Sequence, residues 1–460
     1  MKKSENLSTF LAKSKLKAND LEHKRKLAFN IDKYDAAVPA GKAQFNDLEL
    51  ARKKAKNIKW KAIENLGQYL EDFEKNFTAR GGKVIWAETA AEACKAVAHI
   101  CKEKNAKLVV KSKSMATEEL HLNEYLEKHG VTSIETDLGE YIQQLDGEAP
   151  YHIVTPAMHK SKEDVAKLFH DKLGTDPNLS PRELTQVARK ILRREYVKAD
   201  IGITGANFLL PDIGGVCVSE NEGNARLSTA FPKTHIVIAG IEKMLTAASD
   251  LQIMWPLLAT YGTGQKLTVY NSIFTGPAQS KETDGPTEMY VILLDNGRSN
   301  LLHTEMRESL YCIRCGSCLN ACPVYKNIGG HSYGSTYSGP IGSVITPHMQ
   351  GMEEFVHLSY ASSLCGKCTE VCPVNINIHE LLLQNRQRAV QKNLNGFGEN
   401  FGWAVWTRAM LSRRLMNSAG TGMKNKLVNK LFGDTWGADR AEIHFAQRSF
   451  NKLWKERIKS

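Results

Sequence analysis

A chain of 460 residues is too long for one ordinary domain, so two or three are expected, and a hydrophobic content of 42% is ample for packed cores. No stretch approaches the ~20 apolar residues that span a bilayer. The lysines near Met1 are not followed by an apolar run, so a secretory signal is not expected and the chain reads as cytoplasmic. The net charge of +11 is uneven: residues 1–60 carry 15 Lys/Arg against 7 Asp/Glu and residues 401–460 carry 12 against 4, which leaves the middle mildly acidic. An acidic middle argues against nucleic-acid binding. Basic ends suit an acidic partner or peripheral contact with an anionic membrane surface.

In chain order, residues 1–75 read as a lysine-rich helical segment. Val38-Pro39-Ala40-Gly41 is expected to break it, and an amphipathic helix follows over Arg52–Asn76. Residues 76–300 alternate between strand and helix patterns. Strands are expected at Lys83–Trp86, Lys107–Lys111, Thr132–Glu135, His152–Thr155, Asp200–Thr204, Gly215–Ser219, His235–Ala239, Lys266–Asn271 and Met289–Leu294. Helices are expected at Thr89–Lys104, Ser114–His129, Lys162–Leu173, Pro181–Arg194 and Ile241–Leu258. This alternation implies an α/β domain, a mostly parallel sheet with flanking helices. Residues 301–390 change character and hold the clustered cysteines, with a helix expected from Ile376. Residues 391–460 form a basic tail with four of the seven tryptophans, Trp403, Trp406, Trp436 and Trp454, suited to lie against a partner or a membrane surface.

Seven of the ten cysteines fall in two unequal runs. The first is Cys312-x2-Cys315-x2-Cys318-x3-Cys322-Pro323; the second is Ser362-x2-Cys365-x2-Cys368-x3-Cys372-Pro373, with serine where the first has Cys312. The pattern C-x2-C-x2-C-x3-C-P is the bacterial ferredoxin run, in which the cysteine before proline ligates the other cluster. Crossed ligation gives one cluster Cys312, Cys315, Cys318 and Cys372, and the other Cys322, Cys365 and Cys368. The fold class is therefore α/β plus an α-helical ferredoxin-like domain carrying two iron–sulfur clusters, most simply [4Fe–4S]. Gly316 and Gly366 suit a loop wrapping close to inorganic sulfide. The fourth position of the second cluster has several candidates: an alkoxide from Ser362, a distant thiol such as Cys217, a three-iron cluster, or an iron left open to a partner or substrate. That cluster is accordingly the one expected to meet a substrate or partner. Structural zinc would use two C-x2-C pairs and leave three cysteines unexplained. Cys94 and Cys101 share a helix face and read as buried small hydrophobes.

No dinucleotide or Walker-type phosphate motif is present. Three loops follow predicted strands: Lys111-Ser-Lys-Ser114, Gly202–Asn207 and Ser219–Arg226. They are expected to meet at the carboxyl edge of the sheet, where open α/β folds bind ligands, with Lys111, Lys113 and a helix N-terminus favouring an anion. The turn-rich stretch 329–343 between the cysteine runs is long for a ferredoxin spacer, and its His331 is a candidate cluster neighbour.

The cysteine runs, Gly329-Gly-His331-x-Tyr333-Gly334, Gly339-Pro-Ile-Gly342, Thr204-Gly-Ala-Asn207 and Asn221-Glu-Gly-Asn224 together resemble the lactate utilisation protein B family over about residues 50–430. The resemblance implies a LUD-type α/β domain and two [4Fe–4S] clusters on the cysteines named above. It further implies electron transfer in a cytoplasmic complex oxidising L-lactate to pyruvate for growth on lactate. It implies two companion subunits, one with cysteine-rich CCG-type motifs and one with a second copy of the α/β domain, and makes the three-cysteine second run the family's normal state. The chain would then be a subunit of an L-lactate dehydrogenase complex, with no catalytic residue assigned to it. The alternative is an acyl- or anion-handling enzyme seated in the α/β domain, with structural or sensory clusters.

Overall fold

The computed structural model describes residues 4–417, 420–437 and 440–459. These fall into two compact units, one reaching Gln391 and the other covering residues 392–460.

The larger unit is built on a parallel six-stranded sheet. Its strands belong to the series β1 Lys83–Ala87, β2 Leu108–Lys111, β3 Thr132–Glu135, β4 Ile201–Thr204, β5 Phe208–Leu210, β6 Gly215–Glu220, β7 Thr234–Gly240, β8 Tyr270–Phe274 and β9 Glu288–Leu294. The main sheet runs β1-β9-β7-β4-β2-β3, and β5-β6-β8 form a small antiparallel sheet. Both faces of the main sheet are covered. Ile236 and Ile238 of β7 join a cluster with the helix Ala90–Glu103, whereas Val237 and Ala239 enter the core shared with the N-terminal helices and the cysteine region. The buried run His-Ile-Val-Ile-Ala-Gly is the near-continuous apolar sequence that a doubly covered parallel strand requires.

Five local expectations are corrected. The helix Leu21–Lys42 runs through Pro39 instead of breaking there, because the proline lies in the last turn. The Ser114–His129 stretch is two short helices, Met115–Glu119 and Leu122–Lys128, parted by His121 at φ 51°. His152–Thr155 is not a strand: the imidazole Nδ1 of His152 accepts the N–H groups of Val154 and Thr155 at 3.1 Å each and curls the segment on itself. After β7, Ile241–Lys243 is a single 3-10 turn and the helix starts only at Leu251. The strand expected at Lys266–Asn271 lies at Tyr270–Phe274.

The N-terminal helices brace the cysteine region. From Leu48–Glu64, Arg52 donates to the carbonyls of Cys372 (Nε 3.2 Å, Nη2 2.8 Å) and Glu370 (Nη2 2.7 Å), and Lys56 bonds to Glu308 and to the Asn375 carbonyl. Lys59, fully buried, donates to the carbonyls of Glu242 and Met244 at 2.5 and 3.0 Å, fixing the turn after β7.

The smaller unit contains the helices Phe397–Leu411, Arg413–Asn417, Thr421–Trp436 and Phe450–Lys459. Trp403 and Trp406 meet edge to face at 5.5 Å and stay exposed, as do Phe397 and Phe401. No helix among the described residues is long and apolar enough to cross a membrane.

Candidate cluster sites and the adjoining cavity

The two cysteine runs repeat in backbone as well as in sequence. Arg314 and Leu364 both take positive φ, 59° and 54°, and Gly316 and Gly366 follow at 80° and 77°. Each turn is closed by the side chain two residues before it. The N–H of Arg314 bonds Cys312 Sγ at 3.4 Å, and the N–H of Leu364 bonds Ser362 Oγ at 3.1 Å. Ser362 thus presents its oxygen where the first run presents a sulfur. Space explains the glycine in the first turn, where a Cβ on Gly316 would lie 3.0 Å from Val154 Cγ2; at Gly366 the left-handed backbone alone favours it.

The seven cysteines are brought into two groups. Cys312, Cys315, Cys318 and Cys372 line one small cavity with Ile313, Ile341 and Ile376. Burial pushes the thiols of Cys315 and Cys318 up, and charge on Cys312 and Cys372 pushes them further. Burial likewise carries Cys372 up to about 12, with Cys312 adding to it. In the second group, burial raises Cys322, with Cys365 adding to it; Cys368, raised by burial to about 11, feels both. Cys318 also feels Cys368, so the two groups adjoin. Crowded, buried thiols that repel one another as thiolates are a donor set that needs a cationic core between them. A lone zinc ion would draw sulfurs together at Zn–S bonds of about 2.3 Å. Among the described residues the only trio of ligand atoms within 4.8 Å is Glu148, His159 and His331, with no cysteine in it. The residues present therefore fit polynuclear clusters. Backbone N–H groups directed at Cys312 and Cys372 (the latter from Ile376 at 3.4 Å) are the outer partners that orient such ligands and tune potential.

The groups differ in exposure. In the first, Cys315, Cys318 and Cys372 are buried and Cys312 partly so; in the second, Cys365 is exposed. Cys217 is wholly buried in β6, opposite Phe208, and the charge that it feels is Asp212. Cys94 and Cys101 are buried in the helix Ala90–Glu103, as expected.

A cavity of about 320 Å³ opens at the carboxyl edge of the parallel sheet, and the three loops singled out in the sequence do meet there. Ser112–Ser114, Gly205–Asn207 and Ser219–Glu222 form its walls, with Asp137 beside them. Glu222 accepts the Leu138 N–H at 3.1 Å. Burial pushes its carboxyl up to about 7, helped by the Asp137 charge. Lys111 is not part of the cavity. It is fully buried, ion-paired with Glu135 at 2.7 Å and Glu118 at 3.1 Å, and bonded to Thr117. The helix that follows is five residues long, too short for an N-terminal anion site, and Ser114 Oγ already takes its Thr117 N–H.

The far wall comes from the cysteine region: Arg314, Cys315 and Tyr337 line the same cavity, with Glu242, Lys243 and Arg298 between them and the sheet. Arg298 is the hub. It bonds both oxygens of Glu119 at 2.9 and 2.8 Å and Glu242 at 2.6 Å, and Tyr337 donates to Glu119 at 2.7 Å. Arg298 holds the Glu242 carboxyl down at about 2 against burial, and its charge likewise lowers Glu119. Sequence reasoning missed this network; its four members come from four separated segments, and no local pattern links them.

The stretch 329–343 packs on the α/β domain. Gly329 and Gly330 lie so close to Tyr151 that a Cβ would stand 1.3 Å from its hydroxyl and 1.8 Å from its carbonyl oxygen. His331 bonds the Ala149 carbonyl at 2.7 Å and stands edge-on to Tyr151, which places it at this junction and not at a cluster; Tyr333 is the ring beside Cys322 and Cys318.

A parallel α/β domain joined to a two-cluster ferredoxin-like region defines an iron–sulfur protein of the electron-transport class. A LUD domain profile matches residues 70–294, and a 4Fe–4S dicluster domain profile matches residues 308–376. Lactate utilization protein B of Bacillus velezensis is 48% identical over 342 residues, spanning 74% of this chain and 72% of the relative. The Bacillus subtilis protein of that name is 45% identical over 387 residues, 84% and 78% of the two chains. That of a Geobacillus species is 50% identical over 336 residues, 73% and 71%. The chain belongs to the lactate utilization protein B family, and it carries a 4Fe–4S dicluster domain. A solved DUF162 family protein from Deinococcus radiodurans matches 50% of the chain and 98% of its own at 13% identity and a TM-score of 0.29.

Proposed function

We propose that this chain is the iron–sulfur electron-transfer subunit of a cytoplasmic complex that oxidises L-lactate to pyruvate, permitting growth on lactate. In this reading Cys312, Cys315, Cys318 and Cys372 hold one [4Fe–4S] cluster. Cys322, Cys365 and Cys368 hold the other, with Ser362 as its fourth ligand. The observation that carries the reading is the crossed grouping: Cys372 lines the first cysteine cavity and Cys322 feels Cys365, so each run completes the other's set. When bound, each cluster exchanges one electron, and two on one chain match the two electrons that lactate releases.

The chain's own residues hold the arrangement. Arg52 fixes the backbone of Cys372, the amides of Arg314 and Ile376 orient two sulfurs, and Ser362 occupies the place of Cys312. Exposed Cys365 gives a partner close access to the second cluster. Two companion subunits would dock here and on the basic, aromatic tail, whose contact with a membrane would be peripheral. We also take residues 1–75, 76–300, 301–390 and 391–460 as the working domain divisions.

The test is anaerobic. Cluster-loaded protein combined with both companion subunits should lose visible cluster absorbance when L-lactate is added, and variants lacking Cys315 or Cys368 should not respond. An unchanged spectrum with every component present and loaded would overturn the reading.

A further inference from the structure

The cavity that joins the two domains carries more positive charge beside Arg298 than the carboxylates there use. Glu119 and Glu242 are both engaged by Arg298. Two further cations stand there. Arg314 stacks 4.2 Å above the Tyr337 ring and reaches Glu242 only at 3.8 Å; its Nη1 is buried with no hydrogen-bond partner. Lys243, at the end of the 3-10 turn after β7, lines the cavity and makes no hydrogen bond or ion pair with any described residue; burial lowers it to about 8, and Glu242 opposes that only through space. A buried guanidinium N–H without an acceptor is costly, and a charge-assisted bond to a carboxylate would satisfy it. Both cations line, with Cys315, a space large enough for a small molecule, and both feel the charge of Cys312.

A second set of charges acts against a large anion. Asp137, Glu220 and Glu222 also line the cavity and act on one another, and they would repel a phosphate ester or a nucleotide. Ser114 and Asn207 line the cavity as well; Ser114 Oγ accepts from Thr117 and Asn207 Oδ1 from Ser219, which leaves a hydroxyl hydrogen and the amide hydrogens for a polar substituent. One negative charge at one end, a hydroxyl or keto group beside it and a short carbon skeleton describe what fits.

We propose that this cavity is the binding site of a small 2-hydroxy or 2-oxo monocarboxylate, its carboxylate held by Lys243 and Arg314 beside the cysteine group that includes Cys315. The choice of a lactate-like acid rests on the functional reading above; the presence of an anion site does not. The site lies against the buried, first cysteine group, and not the incomplete second group that the sequence singled out.

The experiment uses the full-length, cluster-loaded chain under anaerobic conditions, with iron content and the electron paramagnetic resonance of both reduced clusters recorded first. Those spectra test the electron-transfer reading independently of any ligand. Calorimetric titration with L-lactate, pyruvate and inorganic phosphate follows. One saturable site for lactate or pyruvate is expected, with phosphate much weaker. Lys243→Met should weaken that binding at least tenfold and Lys243→Gln less so, with cluster content unchanged. Ligand should also perturb the resonance of one cluster in the wild type and lose that effect in Lys243→Met. The proposal is overturned if the loaded wild type binds neither acid, or if both Lys243 variants bind as it does. It also fails if those variants alter only cluster potential, because the cations would then serve solely to offset cluster charge.

Discussion

Arg52→Ala should loosen the first cluster selectively. Its guanidinium reaches from the helix Leu48–Glu64 to the carbonyls of Glu370 and Cys372, and its side chain is 11% exposed. Hydrogen bonds to charged groups contribute roughly 1.5–3 kcal/mol. Because both carbonyls share one guanidinium, the contributions do not add in full, and the expected loss is about 3 kcal/mol including the packed stem. The partner Glu49 is largely exposed and adds little. The loss falls on the backbone of the one cysteine that the second run lends to the first cluster. Iron release to a chelator, followed by electron paramagnetic resonance, should therefore show the first cluster leaving faster while the second persists. Arg52→Lys, which keeps the charge but not the fork, should lie between. Equal retention of both clusters, or their parallel loss, would refute the assignment of Arg52 as the brace of Cys372.

Further outcomes follow from single groups. Ser362→Cys should retain the second cluster with altered resonance parameters, since the serine oxygen already occupies the position of Cys312 Sγ, and Ser362→Ala should convert it to a three-iron form or lose it. Glu119→Ala leaves Arg298 with one buried carboxylate and should cost about 3–5 kcal/mol in urea unfolding. Binding of lactate or pyruvate should weaken as pH rises through about 7. Burial and Asp137 raise the Glu222 carboxyl, Glu220 raises it further, and Lys113 and the Leu138 amide oppose them; it is neutral below that value and adds a negative charge above it. Glu222→Gln should remove the fall near 7 in the calorimetric profile and leave the later one set by Lys243, which burial lowers to about 8.

The sheet was legible because its strands are covered on both faces. Runs such as His235–Ala239 and Met289–Leu294 have no polar face to confuse with a helix stripe. His152–Thr155 has the same β-branched character, yet its amides are taken by the His152 ring, a bond that composition does not announce. Lys111 looked like an anion holder because it ends a strand beside a short helix. Its real partners, Glu118 and Glu135, are set by β2 pairing with β3 and by the fold of the turn. The grouping of the cysteines follows their spacing, since Cys372 lines the cavity of the first run and Cys322 lies near Cys365, as the C-P turn leads one to expect. The cations lining the cavity were not legible. Lys243 becomes conspicuous only when every nearby carboxylate is seen to be engaged elsewhere.

The serine in the second run draws attention to the second cluster, but burial divides the work between the two groups in another way. A group reached from solvent through exposed Cys365 suits exchange with another protein. A group enclosed by Ile313, Ile341 and Ile376, with a cavity wall at Cys315, suits a small molecule shielded from bulk water. In that enclosed setting an unpaired cation acts with little screening. Lys243 and Arg314 therefore bear at once on an anion in the cavity and on the charge of the thiolates beside it. A carboxylate bound between them would withdraw positive potential from the first group while leaving the second, nearer solvent, almost unaffected. Occupancy of the cavity would thus make reduction of the first cluster harder relative to the second and bias the distribution of an electron toward the exposed side, where a partner can collect it. Separate redox titrations of the two resonances, with and without pyruvate, should show the first moving to lower potential and the second staying fixed; movement of both together would place the anion somewhere other than this cavity.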